Sequence, residues 1–210
     1  MNQTAICNLA LLRIGIGQPI ADITENSAAA RACNAVWEQC LRTMYRERPW
    51  PFATRQVGLA LVGTQVFKDW YYTYRYPTGY VNIHSVMPPV VGVVSTTLVS
   101  VETDRVPYPQ SYPYVVGSDA AGRLIHSDVV DAEAVGTVYI SDTSQFDPLF
   151  TSALAWFIAS EIALSLTKNK DLYGNCYSQY QMIVGDAAAA GQNEPKPRAG
   201  MDADMIEARR

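Results

Sequence analysis

Few side chains in this sequence have the type and spacing for acid–base or metal chemistry. The two histidines, His84 and His126, fall on separate predicted strands, and the four cysteines, Cys7, Cys33, Cys40 and Cys176, include no C-x-x-C pair. No tetrahedral nitrogen and sulfur set is therefore spaced for a metal, and none is expected. The acids Asp128, Asp131 and Glu133 crowd one turn but lack the regular oxygen spacing and the glycine of a calcium loop, which makes them a solvated turn. Gly15-Ile16-Gly17 follows a helical pattern rather than a strand and has no third glycine, so it holds no pyrophosphate and no cofactor is expected. No G-x-S-x-G, P-loop or H-E-x-x-H motif occurs. The one catalytic route left open is a carboxylate pair brought together by the fold, such as Glu133 with Asp147, which would suit hydrolysis.

Arginines are more suggestive. Arg42, Arg46, Arg48 and Arg55 form a run opposed only by Glu47, and Arg42 and Arg46 share a helix face. Three uses compete: a solvated helix end where cations complement the C-terminal dipole, pairing with carboxylates of a neighbouring subunit, or contact with DNA phosphates. With 16 Lys+Arg against 20 Asp+Glu and a net charge of -4, no global field draws the chain onto nucleic acid or an anionic membrane, so such contacts would be local.

The elements that must position these residues change class twice along the chain. Residues 3 to 14 place Ile6, Leu9, Ala10 and Arg13 on one face of a short helix closed by Gly15, and Ser27 caps a longer helix with the stripe Ala29, Cys33, Val36, Trp37, Cys40, Leu41 and Met44. Cys33 and Cys40 on that helix would stand roughly 10 Å apart, too far to bridge, so the cysteines read as reduced core thiols. Pro49 and Pro51 stop the helix. From Arg55 to about Ile140 the pattern has period two: Trp70, Tyr72, Tyr74 and Tyr76 on one strand face, Tyr71, Thr73 and Arg75 on the other. Further strands are predicted at residues 81–86, 97–101, 112–117, 123–127 and 135–141, with Ser118-Asp119-Ala120-Ala121-Gly122 as a hairpin tip.

Asp147-Pro148 is a helix start, a capping carboxylate followed by proline in the first turn. From residue 149 to 166 the only charge is Glu161. Eighteen residues approach the length that spans a bilayer, yet Thr151, Ser152, Ser160 and Ser165 dilute the stretch and no basic anchor precedes it, so burial in protein rather than membrane insertion is expected. Glu161 should then face a polar partner or a subunit boundary. A last helix runs from about Lys170 to Ala190. The N-terminus lacks the pattern of a signal peptide, which implies cytoplasmic synthesis. Beyond Gly191 the composition becomes that of a linker, ending in a short amphipathic segment with Met201, Met205 and Ile206 together and Arg209-Arg210 last, which would order on a partner.

Taken in order, Leu11-Leu12-Arg13-Ile14-Gly15, the run from Ala28 with Trp37 at its end, Leu41-Arg42, Pro49-Trp50-Pro51-Phe52-Ala53, Tyr74-Arg75-Tyr76-Pro77, and Phe146-Asp147-Pro148-Leu149-Phe150 leading to Tyr180 resemble the head-to-tail adaptor, or tail tubular protein A-like, family of short-tailed bacteriophages. The resemblance covers residues 3 to 193 and rests on packing residues. It implies a ring of about twelve copies bound beneath the portal, a heterologous cyclic assembly. The ring would extend the channel through which double-stranded DNA passes without sequence-specific binding. The implied partners are further copies of the chain, the portal protein, and the tail nozzle and fibres, in the virion.

The expected fold is therefore α+β: an antiparallel four-helix bundle-like body made of two N-terminal and two C-terminal helices, with an inserted small antiparallel β domain and a flexible C-terminal tail. The expected divisions are residues 1–53, 54–146, 147–190 and 191–210. Expected contact residues are Met201, Met205, Ile206, Arg209 and Arg210 toward the portal, and Arg42, Arg46 and Arg48 toward a neighbouring subunit or the DNA channel. The expected function is a structural, non-enzymatic ring adaptor. The alternatives are a virion-associated peptidoglycan hydrolase using a pair such as Glu133 and Asp147, or a DNA-binding packaging factor using the arginine run.

Overall fold

The computed structural model describes residues 1–67, 69–89 and 111–193. The chain divides into two units, one formed by Met1–Met44 together with the segment after Ile140, the other by Tyr45–Ile140.

The first unit is helical. Helix α1 (Gln3–Arg13) begins where the Asn2 side chain accepts from the Ala5 N–H at 2.9 Å and ends at Gly15, whose φ of +82° is a left-handed turn open to glycine without strain. Helix α2 (Ala28–Glu47) starts with the Ser27 hydroxyl accepting from the Ala30 N–H. Its last three residues fall in the second unit. Helix α3 (Pro148–Thr167) is capped by Asp147, whose carboxylate accepts from the N–H groups of Leu149 and Phe150. Asn169 then caps α4 (Lys170–Asn193) in the same way, accepting from Asp171 and Leu172.

Helix α3 packs against α1 and α4. Phe150, Leu154, Ile158 and Ile162 are fully enclosed with Ile6, Leu11 and Tyr180, and the Phe157 and Tyr180 rings stack at 4.7 Å between α3 and α4. Burying each such side chain contributes about 1.5–3 kcal/mol. Among the described residues α3 is the one helix long and apolar enough to cross a bilayer, and 61% of its most apolar window is buried within the chain itself. Its hydroxyls are reconciled with that burial by the helix's own carbonyls: Ser160 donates to Phe157 O, Ser165 to Ile162 O and Thr167 to Ala163 O.

Among its described residues the second unit carries seven strands in two antiparallel sheets. Strands β1 (Thr54–Gly58), β7 (Glu133–Val138) and β4 (Tyr80–Met87) form one in the order β1-β7-β4. Strands β2 (Leu61–Phe67), β3 (Trp70–Arg75), β6 (Gly122–Ser127) and β5 (Tyr114–Asp119) form the other in the order β2-β3-β6-β5. The β5–β6 hairpin closes at Asp119 opposite Gly122, the tip the sequence marks. Tyr74, Tyr76 and Ile125 from one sheet side meet Ile83, Val86 and Ala134 from the other in one apolar cluster.

This architecture corrects the expected fold class. The chain is a mixed α+β protein with two antiparallel sheets and substantial strand content, not a four-helix bundle-like body with a small inserted β domain. The physical reason is that the strands have a core of their own, closed by side chains of both sheets. The sequence pattern understated it because alternation is blurred where strands are covered on both sides: in β3 the neighbours Thr73 and Tyr74 are both buried, although they point to opposite faces. The strand expected at residues 97–101 and the tail beyond residue 193 lie outside the described residues.

Candidate functional site

The candidate catalytic groups serve local structure. His84 Nε2 shares a 2.7 Å hydrogen bond with the buried Thr137 hydroxyl across β4 and β7, and burial holds its imidazole below the ordinary value. His126, on β6, shares a 3.0 Å bond between Nδ1 and the Thr73 hydroxyl of β3. In the acidic turn, Asp128 accepts from the Tyr71 N–H at 3.0 Å and Asp131 adopts a φ of +49°. No cluster of metal-ligating side chains occurs among the described residues. Of the pair considered for hydrolysis, Glu133 accepts from the Gln56 amide on the neighbouring strand β1, and Asp147 is the cap of α3.

Of the arginine run, Arg42, Arg46 and Arg55 are likewise engaged. Arg42 pairs with Glu38 one helical turn earlier at 2.6 Å, both side chains more than half exposed, a contact that contributes about 0.5 kcal/mol or less. Arg46 donates to Val81 O at 3.1 Å and to Asn82 Oδ1 at 3.2 Å, tying the end of α2 to β4. Arg55 donates to Phe52 O and Thr54 O, and Arg48 is half-buried. The five tail positions Met201, Met205, Ile206, Arg209 and Arg210 lie outside the described residues.

A better-formed site surrounds an arginine that the sequence shows only as one member of a helix face. Arg13, at the end of α1, extends to the first turns of α3. It donates from Nη1 to Ser152 O at 2.8 Å and from Nη2 to Ser152 Oγ at 3.1 Å, and its guanidinium lies 4.4 Å from the centre of the Trp156 ring. Burial lowers its affinity for the proton relative to a free guanidinium. Among the described residues no carboxylate pairs with it. Arg13 lines a cavity of about 340 Å³ with Leu9, Phe146, Pro148, Thr151 and Ser152, a cation set against apolar walls. The signal available in the sequence was a lone arginine on the face carrying Ile6, Leu9 and Ala10.

On the same unit Glu161 is exposed on α3, with Leu164 47% exposed one turn later. Across the two-residue connection to α4, Tyr173 and Tyr177 are also exposed, their rings parallel with centres 6.1 Å apart. Glu161 lies close enough to α2 that its charge, after burial itself, helps push the Cys40 thiol up to about 12. Among the described residues Glu161 has neither an ion-pair nor a hydrogen-bond partner.

Compared with known proteins, the chain matches no family model and no curated protein.

Proposed function

We propose that this chain is a structural virion protein: a ring-forming head-to-tail adaptor, without enzymatic activity, that binds beneath the portal, extends the DNA channel and presents a platform for the tail nozzle and fibres. The ordered residue set running from Leu11-Leu12-Arg13-Ile14-Gly15 to Phe146-Asp147-Pro148-Leu149-Phe150 motivates the reading. The structural observation that carries it is the surface of the helical unit, where Glu161, Leu164, Tyr173 and Tyr177 stand exposed at one end of the α3–α4 hairpin. Exposed tyrosines are enriched in interfaces, and a charge such as that of Glu161 suits an interface rim or a pairing with an opposite charge.

The ring is a closed heterologous assembly of about twelve copies, since each copy would offer one surface and receive another. Mass measurement of the purified chain, alone and with a portal ring of a short-tailed phage, tests this. A ring, or a portal complex carrying a ring of adaptors, is the expected outcome. A chain that stays monomeric at high concentration and never joins a portal refutes the reading.

A further inference from the structure

The cavity around Arg13 has the features of a receiving site. Two of the five guanidinium N–H groups are spent on Ser152, the ring of Trp156 covers one face, and no acid of the described chain neutralises the charge. A cation held half-buried beside Leu9, Phe146 and Pro148 recognises a carboxylate carried next to an apolar group. The chain presents such a group itself. Glu161 and Leu164 are three residues apart on α3, hence neighbours on one helix face, and both are exposed.

Their placement has the geometry that a head-to-tail contact needs. Ser152, the anchor of Arg13, and Glu161 are nine residues apart on the same helix, which sets them about 180° apart around its axis. A heterologous ring requires two different, complementary surfaces on opposed sides of each copy; a two-fold dimer would instead need a self-complementary patch.

Resting on the adaptor reading, we infer that Glu161 and Leu164 of one copy dock in the Arg13 cavity of the next, the carboxylate accepting from the guanidinium and the leucine lying against the Leu9, Phe146 and Pro148 wall. The cavity's 340 Å³ leaves room for both side chains. Removing the carboxylate would leave the guanidinium enclosed without a counter-charge, so the effect on association should exceed that of an exposed ion pair.

Charge exchange tests the contact on the full chain, with assembly followed by sedimentation and native mass spectrometry. Arg13→Glu and Glu161→Arg should each raise the concentration needed for ring formation by about tenfold or more. An equimolar mixture of the two should assemble, because every boundary in an alternating ring then joins opposite charges. The Arg13→Glu/Glu161→Arg double variant should assemble alone. Since Arg13 also holds Ser152, the exposed-site series Glu161→Gln and Glu161→Arg keeps the test independent of α1: both should weaken assembly, arginine more than glutamine. Single variants that assemble like the wild type, or a mixture no better than its components, would overturn the contact while leaving the adaptor reading standing. A wild type that makes no ring, alone or on a portal, would remove the adaptor reading and this contact with it.

Discussion

At the scale of single residues, two positions link packing to measurable stability. His84 sits between β4 and β7 with its ring bonded to Thr137, and burial depresses its proton affinity below the ordinary 6.5. A histidine whose folded-state pKa is lowered binds protons more readily when unfolded, so its contribution is complete above 6.5 and is lost as pH falls from there toward the folded value. Denaturation midpoints should decline over that acid window, and His84→Gln, which cannot titrate, should flatten the decline. Gly136 is constrained by space instead. A Cβ at this central-strand position would collide with the Asn82 carbonyl oxygen and lie 2.9 Å from both Ile83 Cδ1 and Tyr80 Cδ1. Gly136→Ala should cost about 1–3 kcal/mol in urea unfolding through overpacking and a disturbed β4–β7 ladder. An unchanged midpoint would show that the strand can shift.

At the scale of elements, α3 shows how end chemistry and packing divide the labour. Asp147 and Pro148 set its start from local preference, and both are legible in the sequence. Its end is less favourable. Lys168 adopts a φ of +59° to turn the chain into α4, a left-handed conformation that costs a non-glycine residue about 1–2 kcal/mol. Lys168→Gly should therefore raise the free energy of unfolding by about 0.5–1 kcal/mol, the relief exceeding the extra freedom gained by the unfolded chain. Thermal or urea melts would check this, and a loss of stability would mean that the lysine side chain makes a compensating contact.

At the scale of the whole molecule, the ring prediction depends on surfaces rather than on any one site. In the proposed ring, a net charge of -4 per copy would give no long-range attraction between a channel wall and DNA, which would suit passage better than retention. The same modest charge leaves assembly to short-range complementarity, and the Arg13 cavity with the Glu161–Leu164 face supplies a pair of that kind. Helix α3 connects the two, since it contributes Ser152 and Trp156 to one and Glu161 to the other. Its apolar length is then the core of the helical unit, with only its polar and edge positions left outward.

The sequence by itself determined what local rules govern. Helix ends at Ser27 and Asp147, the proline stop after α2, the hairpin tip at Ala120-Ala121 and the strand character of the described residues between Arg55 and Ile140 follow from capping, missing donors and side-chain alternation. Only the tertiary structure decided the weight of the β part, because strand pairing joins residues as distant as Thr54 and Thr137, and no local pattern encodes which strands share a sheet. It likewise decided that Arg46 serves β4 while Arg13, among the described residues, has no carboxylate beside it. Charge neutralisation acts through space: whether an arginine is available to a partner depends on which chain-distant acids and carbonyls reach it, and among the described residues Arg13 meets Ser152 and Trp156 rather than an acid.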